Sequence, residues 1–304
     1  MAEAVVDGLV VVDKPAGWTS HDVVARCRRI FGQRRVGHAG TLDPDATGVL
    51  LIGLGRVTRL LQFLTGLPKS YRGEVVLGVA TSTLDASGEV TGRWSMEGVG
   101  LDAVRRAAAG LTGTIEQVPP MVSAIQVGGR RLHQLAREGI EVERPARLVT
   151  VTRFEVVATA EPGIFAIEVD CSSGTYVRSL AADLGAALGG GAHLRHLQRT
   201  AVGSFSLAEA CQLDEVGSDR VLSPAETLRG MSRLVAGNDT VAAVSHGRAL
   251  PRSDFEPPGP EGPGPWAVVD HRGDLLAVYR AAAEDPGGRI KPTVVLAASP
   301  GTDR

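Results

Sequence analysis

Short apolar runs and amphipathic stretches alternate along this chain and rarely merge. "GLVVVDKP", from Gly8 to Pro15, is a compact apolar run stopped by Pro15 and Gly17, which predicts a strand. The following "TSHDVVARCRRIFG" changes period. Val23, Val24, Cys27, Ile30 and Phe31 fall at spacings of three and four, so a helix is predicted there. Thr19 or Ser20 supplies the N-cap, Asp22 sits in the first turn and Gly32 lies past the end. A strand is then predicted over "VLLIGLG" and a helix over "RVTRLLQFLTG". Next comes a strand leaving Tyr71, a loop around Thr81 to Asp85 and a returning strand.

Further on, "LDAVRRAAAGLTG" has the periodicity of a helix, and "MVSAIQVGGRRLHQL" reads as a strand, a Gly-Gly turn and a new helix ending at Gly139. "ARLVTVTRFEVV" and "IFAIEVDCSS" alternate as half-buried antiparallel strands do, and "TYVRSLAADLGAALGGGAHL" is a helix that dissolves into glycine. Strands mixed with short helices, without a regular βαβ rhythm, place the chain in the α+β class. The pattern shifts after about residue 232. "PRSDFEPPGPEGPGPW" is too rich in Pro and Gly for regular structure, and around it lie short strand candidates, "WAVVDHRGDLLAVYR" with a turn at Arg272-Gly273, and "TVVLA". A small β-rich module over residues 236–300 is therefore expected behind a larger domain spanning residues 1–232.

Composition narrows the possibilities. A length of 304 residues with 43% hydrophobic content allows a sizeable core, and a net charge of −2 excludes a polybasic or polyacidic protein overall. It does not exclude nucleic acid, because local charge sets that footprint. Arg26, Arg28, Arg29, Arg34 and Arg35 crowd one short stretch, more than a solvated helix face requires, although a solubilising face is the plain alternative. Three widely spaced cysteines, Cys27, Cys171 and Cys211, with no CxxC pair suit a reducing cytosol rather than disulfides or zinc. Acids at the N-terminus with no basic n-region argue against a signal peptide, and no apolar run approaches the ~20 residues of a membrane span, so a cytoplasmic protein is expected.

One segment carries a chemical puzzle. In "VGHAGTLDPDATGVLLIGLG", Asp43 sits before Pro44 among Gly37, Gly40 and Gly48. A lone Asp-Pro is a common turn starter. Here Pro44 disfavours the α region for Asp43, and the glycines permit close approach of another backbone or a ligand. A preorganised acid on a stiff loop suits general-base or nucleophilic work. Arg178, within the first turns of a later helix, is its candidate counter-ion, expected to lower the carboxyl pKa by roughly 1–3 units and keep it charged. The alternative is an Arg on a helix surface. Tyr71 and Tyr176, two of three tyrosines, are either ordinary core residues or rings that stack on an extruded base. His38 lacks HxH, HExxH or nearby Cys, and the GxG at Gly53 to Gly55 lacks a third glycine, so neither metal nor dinucleotide is expected.

Taken together, these segments resemble the TruB-type tRNA pseudouridine synthases. "GHAGTLDPDATGVLLIGLGRVTRL" resembles that family's signature, "VVDKPAGWTSHDVV" its N-terminal box, "KSYRGEVVLGVATSTLDASGEV" a second box and "CSSGTYVRSLAADLG" a third. "RLHQLAREGIEVERPAR" and "LQRTAVGSF" also fit, in the same order, so the resemblance covers residues 8 to 207. It implies isomerisation of the T-loop uridine at tRNA position 55, without cofactor or metal, by an enzyme whose mixed, largely antiparallel sheet is flanked by helices. It further implies an inserted RNA-gripping segment near residues 119–147, and a C-terminal RNA-binding module, often of PUA type, here shortened.

By the same resemblance, Asp43 matches the catalytic aspartate, Tyr71 the tyrosine stacked on the target base, and Arg178 the arginine paired with the aspartate. Tyr176 and Leu197 match positions lining the uracil pocket, His38 a histidine that extrudes or holds T-loop bases, and Lys14 with Pro15 a supporting box. The RNA backbone would meet Arg26, Arg28, Arg29, Arg34 and Arg35, with Arg130 and Arg131 in the inserted segment. Gln126 and His133 depart from the Lys and Tyr that many members carry. A monomer with the tRNA T-arm as partner and no obligatory protein partner is expected. The alternatives are a non-catalytic tRNA-folding chaperone on the same scaffold, or a guide-dependent pseudouridylase of the dyskerin type, for which the chain lacks obvious partner-binding extensions.

Overall fold

The computed structural model describes residues 5–123, 126–127, 130–131, 138, 140, 142–256, 262–282 and 288–296. The chain opens with β1 (Gly8–Lys14), α1 (Ser20–Ile30), β2 (Val36–Ala39) and β3 (Thr47–Leu54). β1 and β3 run antiparallel along their length, with Gly8 opposite Leu54 and Lys14 opposite Gly48. Val10, Val12, Leu50 and Ile52 bury one face with Val23, Val24 and Cys27 of α1. Leu9, Val11, Val49 and Leu51 bury the other. Both faces are covered, which explains why these strands are continuous apolar runs. Thr19 caps α1: its hydroxyl accepts from the Asp22 backbone N–H while the Asp22 carboxylate accepts from that of Thr19, and Gly32 takes φ +59° beyond the end.

The helix predicted over "RVTRLLQFLTG" is divided into a 3₁₀ turn, Gly55–Arg59, and α2 (Leu61–Thr65). The Thr58 hydroxyl donates to the Gly55 carbonyl at 2.7 Å, a local bond that competes with a continuous α-helical ladder. Beyond it come β4 (Lys69–Leu77), β5 (Val79–Thr81), β6 (Val90–Arg93), α3 (Leu101–Gly110) and β7 (Gly113–Gln117). The returning strand β6 pairs with β5 in a small sheet of its own. β8 (Gln126–Val127) pairs antiparallel with β9 (Arg130–Arg131), so a second strand stands where the helix was expected to begin. The rest of that expected helix, including Gly139, lies almost wholly outside the described residues.

β10 (Arg147–Ala158), β11 (Ile164–Cys171), α4 (Val177–Ala187), β12 (Ala192–Val202), β13 (Phe205–Ser206) and β14 (Cys211–Gln212) complete the larger sheet. Its order is β14–β1–β3–β12–β4–β11–β10–β7, with β2 on β3 and β13 on β12. Within this sheet only the β1–β14 and β3–β12 pairings are parallel among the described strands. Along β4 one face is buried and the other open: Tyr71, Val75 and Leu77 point to the helix side, in one cluster with Val104 of α3 and Leu180 of α4. On the open face Arg153 pairs with Asp170 at 2.7 Å and Glu168 at 2.8 Å. The fold is α+β, with a mixed, largely antiparallel sheet.

A second sheet follows: β15 (Arg233–Ala236), α5 (Asn238–Ser245), β16 (Leu250–Pro251), β17 (Phe255–Glu256), β18 (Trp266–Val269), β19 (Leu275–Ala281) and β20 (Arg289–Val295). The strand order is β16–β20–β19–β18–β15–β17, and the β18–β19 connection turns through Gly273 at φ +87°. Ala267, Leu275 and Val278 share a core cluster with Leu9, Leu51 and Leu60. Arg56 and Arg59 donate to the Leu296 and Val295 carbonyls at 2.6 and 2.7 Å. No helix of the described residues is long and apolar enough to cross a membrane.

Candidate active site

Asp43 lies in the loop between β2 and β3, and that loop is fastened at several points. The Leu42 N–H donates to the Ser20 hydroxyl at 2.9 Å. The Pro44 carbonyl accepts from the Lys14 ammonium at 2.8 Å and from the Gly17 N–H at 2.9 Å. Lys14 is fully buried, donates also to the carbonyls of Pro15 and Trp18, and is pulled down to about 8 by burial. At the loop's start, Arg199 donates to the Gly40 carbonyl at 2.9 Å. At its end Gly48 takes φ +101°, and a Cβ there would stand 2.1 Å from the Arg199 carbonyl oxygen. Only glycine lets β3 start so close to β12.

Arg178 enters from the first turn of α4. That turn is set by Gln117 at the end of β7, whose carboxamide accepts from the Tyr176 N–H at 2.7 Å and donates to the Tyr176 carbonyl at 3.1 Å. The guanidinium meets Asp43 with both prongs, Nε to Oδ2 at 3.0 Å and Nη2 to Oδ1 at 3.2 Å. Nη1 donates to Asp85 Oδ2 at 3.2 Å and to the Thr83 carbonyl at 3.0 Å, and Nη2 to the Val122 carbonyl at 2.9 Å. The Arg178 side chain is 5% exposed, whereas that of Asp43 is 42% exposed. The acid is therefore reachable and its partner is not.

Burial raises the Asp43 carboxyl above its ordinary range, Arg178 opposes that, and the second carboxylate of Asp85 adds to it. The net direction is upward, the reverse of the lowering expected from the arginine alone. Desolvation of the loop outweighs one ion pair that is itself shared with Asp85.

A cleft of about 460 Å³ opens beside the pair, lined by Asp43, Arg178, Tyr71, Tyr176, Leu197 and Lys69 among others. Tyr71 faces into it from β4, buried, with its hydroxyl interacting with the Arg199 guanidinium. Leu197 arrives through a bulge: β12 shifts register between Arg195 and Gln198, and His196 takes φ +55° there. On the other side of the pair, a smaller recess of about 230 Å³ shares Asp43, Arg178 and Leu197 and adds Asp45 and His196. Lys69, at the cleft's edge, donates to the Thr65 and Leu67 carbonyls and is pulled down to about 8 by burial.

Other residues singled out in the sequence fall elsewhere. His38, on β2, does not line the cleft; its ring meets that of His21 edge-on at 5.4 Å between centroids, and burial takes its pKa down to about 4. Arg26, Arg28, Arg29, Arg34 and Arg35 are exposed, as a basic surface requires. Arg28 spends one prong on the Val36 carbonyl at 3.2 Å and Arg35 reaches Thr58 at 3.1 Å. Arg130 pairs with Glu138, and for Arg131 the backbone alone is described. Cys27, Cys171 and Cys211 are all buried.

Asp85 was not anticipated as a site residue. Its loop is fixed by a bridge to Leu194 of β12, by Leu84 at φ +63°, and by Thr83 and Ser87 hydroxyls donating to Oδ1 at 2.6 Å each. A signal did exist: the tripeptide Thr-Leu-Asp occurs at residues 41–43 and again at 83–85, and both carboxylates end on one guanidinium.

With this geometry in hand, comparison with known proteins is informative. Residues 28–177 match the model of the TruB family pseudouridylate synthase N-terminal domain, and residues 178–231 that of the tRNA pseudouridylate synthase B C-terminal domain. The tRNA pseudouridine synthase B of Mycolicibacterium paratuberculosis is 49% identical over 297 residues, 95% of this chain and 97% of that protein. The protein of the same name from Mycobacterium tuberculosis H37Rv is 45% identical over 295 residues, 95% of each. A crystal structure of a Cbf5–Nop10–Gar1 complex superposes with a TM-score of 0.75 at 25% identity, covering 96% of this chain and 85% of that one. The chain belongs to the TruB family of pseudouridylate synthases.

Proposed function

We propose that this protein converts a tRNA uridine, that of the T-loop at position 55, to pseudouridine, with Asp43 as the catalytic carboxylate. The observation that carries this is a solvent-reachable Asp43, chelated by a buried Arg178, at the floor of a cleft walled by Tyr71, Tyr176 and Leu197. The target base must leave its stack, at a cost of a few kcal/mol. Stacking on Tyr71 returns roughly 1–3 kcal/mol of that, and arginine–phosphate contacts on the basic surface add to it.

The chemistry is redox-neutral. The bond from N1 to C1′ breaks, the uracil turns in the cleft, C5 bonds to C1′, and the C5 proton leaves as N1 gains one. Attack on carbon and removal of a sugar proton both place the same carboxylate at the ribose. A carboxyl held above its ordinary range accepts a proton more readily than a free one. Arg178 fixes the direction of the carboxylate, and the apolar walls keep water from the detached base. His38, off the cleft but on the adjoining strand, would touch loop bases beside the target rather than the target itself. The sheet formed by Arg233–Val295 would serve as the shortened RNA-binding module, and the segment near residues 119–147 as the RNA grip.

An unmodified T-arm stem-loop incubated with the protein alone, then treated with a carbodiimide to detect pseudouridine, tests this. Product is expected without guide RNA or partner protein. No product with the stem-loop or with full-length tRNA would overturn the reading, and product only with a guide RNA would transfer it to the guided class.

A further inference from the structure

A second concave site lies outside the catalytic cleft. Beside α1, a notch of about 380 Å³ is walled by Pro15 and Trp18, by Arg26 and Arg29, and by Leu213 and Asp214. Arg26 and Arg29 stand three residues apart, on the same exposed face of α1, opposite the buried Val23 and Cys27. Neither guanidinium makes a hydrogen bond or an ion pair with any described residue, the Asp214 carboxylate across the notch included. Two guanidinium groups without a side-chain partner at one concave face leave their donors available to an anion from outside the chain.

The third component is Trp18. It is one of three tryptophans in a chain with 4% aromatics, and it is 36% exposed where a core tryptophan would be covered. Its backbone is fixed, for the Trp18 carbonyl accepts from Lys14 at 2.6 Å. The same ammonium holds the Pro44 carbonyl next to Asp43, so the notch and the catalytic loop are fastened to one buried cation. A flat ring on a rigid mount, flanked by paired arginines, offers a π-face together with phosphate donors. Asp214 would repel a bare polyanion, but it accepts from a base amine or a sugar hydroxyl. The complete set therefore fits a nucleotide better than inorganic phosphate.

We infer that the Trp18–Arg26–Arg29 notch is an RNA-anchoring site, in which an unpaired base of the substrate stacks on Trp18 while its flanking phosphates meet Arg26 and Arg29. It rests on the RNA-modifying reading above. It extends the footprint beyond the target nucleotide, and it acts on binding rather than on the isomerisation step.

The test compares wild type with Trp18→Phe, Trp18→Ala and the double variant Arg26→Gln/Arg29→Gln, using full-length unmodified tRNA transcript. Trp18→Ala is expected to raise Kd roughly tenfold, the scale of one base–ring stack, with Trp18→Phe restoring most of it. The double variant should reduce the slope of log K against log salt by about 1.5, two phosphate contacts. RNA should quench tryptophan emission in wild type more than in Trp18→Phe. Single-turnover rates at saturating RNA should be unchanged in Trp18→Phe and Trp18→Ala. Equal quenching in wild type and Trp18→Phe, with an unchanged Kd for Trp18→Ala, overturns the site while leaving the enzymatic reading intact. Absence of both RNA binding and pseudouridine formation in wild type would instead overturn the enzymatic reading, and the anchoring site with it.

Discussion

Asp43 and Asp85 do not touch, yet they are bound to the same guanidinium: Arg178 Nε holds Asp43 at 3.0 Å and Nη1 holds Asp85 at 3.2 Å. One acid is open to the cleft and the other braces the arginine from behind, so the ion pair is a triad in which the cation is the shared member. The contacts to the Thr83 and Val122 carbonyls complete the guanidinium's donors.

Removing the shared member should injure both fold and chemistry. Arg178→Ala leaves two carboxylates without their counter-ion, and the expected loss of stability is about 2–4 kcal/mol. That is below the 3–5 kcal/mol of a fully buried pair because Asp43 stays open to water. Arg178→Lys keeps the charge but loses the fork, and should recover much of the melting temperature while leaving activity far below wild type. Thermal unfolding and single-turnover assays on both variants check this; an unchanged melting temperature with full activity in Arg178→Ala would contradict it.

The pH dependence has a definite sign. Asp43 titrates above its ordinary 3.8, chiefly through burial and partly through Asp85. The acidic limb of kcat/KM should therefore lie above that of a free aspartate, and Asp85→Asn, by removing a raising charge, should move it to lower pH. For stability, a carboxyl raised in the folded state contributes fully below its unfolded pKa, and that contribution is lost as pH rises through the folded value. Asp43→Asn should accordingly lose less stability than wild type as pH rises above 3.8. Melting curves over that window measure it.

Lys14 carries a different prediction. Its ammonium ties three carbonyls beneath the Asp43 loop at 2.6 to 2.9 Å. In Lys14→Met the Pro44 carbonyl keeps its Gly17 donor, while those of Pro15 and Trp18 lose theirs. The expected cost is about 2–4 kcal/mol of stability. The loop should also loosen, lowering kcat more than it raises KM. Full kcat in a folded Lys14→Met protein would show that the tie is not needed to aim Asp43.

How much of this could be read in the chain depends on where each constraint is encoded. The stiffness of the Asp43 loop is local, written in Pro44, Gly40 and Gly48, and it was legible. So was α1, whose cap, period and terminal glycine agree. The helix beyond β3 was over-extended because the Thr58–Gly55 bond that divides it leaves no periodic trace. The partnership of Arg178 with Asp43 joins the β2–β3 loop to α4 through the order of strands; the segment itself offered Arg178 as a counter-ion or as a helix-surface residue, and the family resemblance favoured the pairing. Asp85 escaped because its direction depends on Leu84 at φ +63° and on a bridge to Leu194, both tertiary facts. The upward direction of the Asp43 carboxyl was missed for a related reason: desolvation is a property of the packed loop, whereas the pairing with an arginine is what a sequence displays.

The central claim is that Asp43 performs the isomerisation, and single-turnover pseudouridine formation by Asp43→Asn on an unmodified tRNA transcript tests it most directly. The asparagine keeps the shape of the loop and can still accept from Arg178, so tRNA binding should stay within a few-fold of wild type while no pseudouridine forms. Appreciable turnover by the folded variant would contradict the assignment.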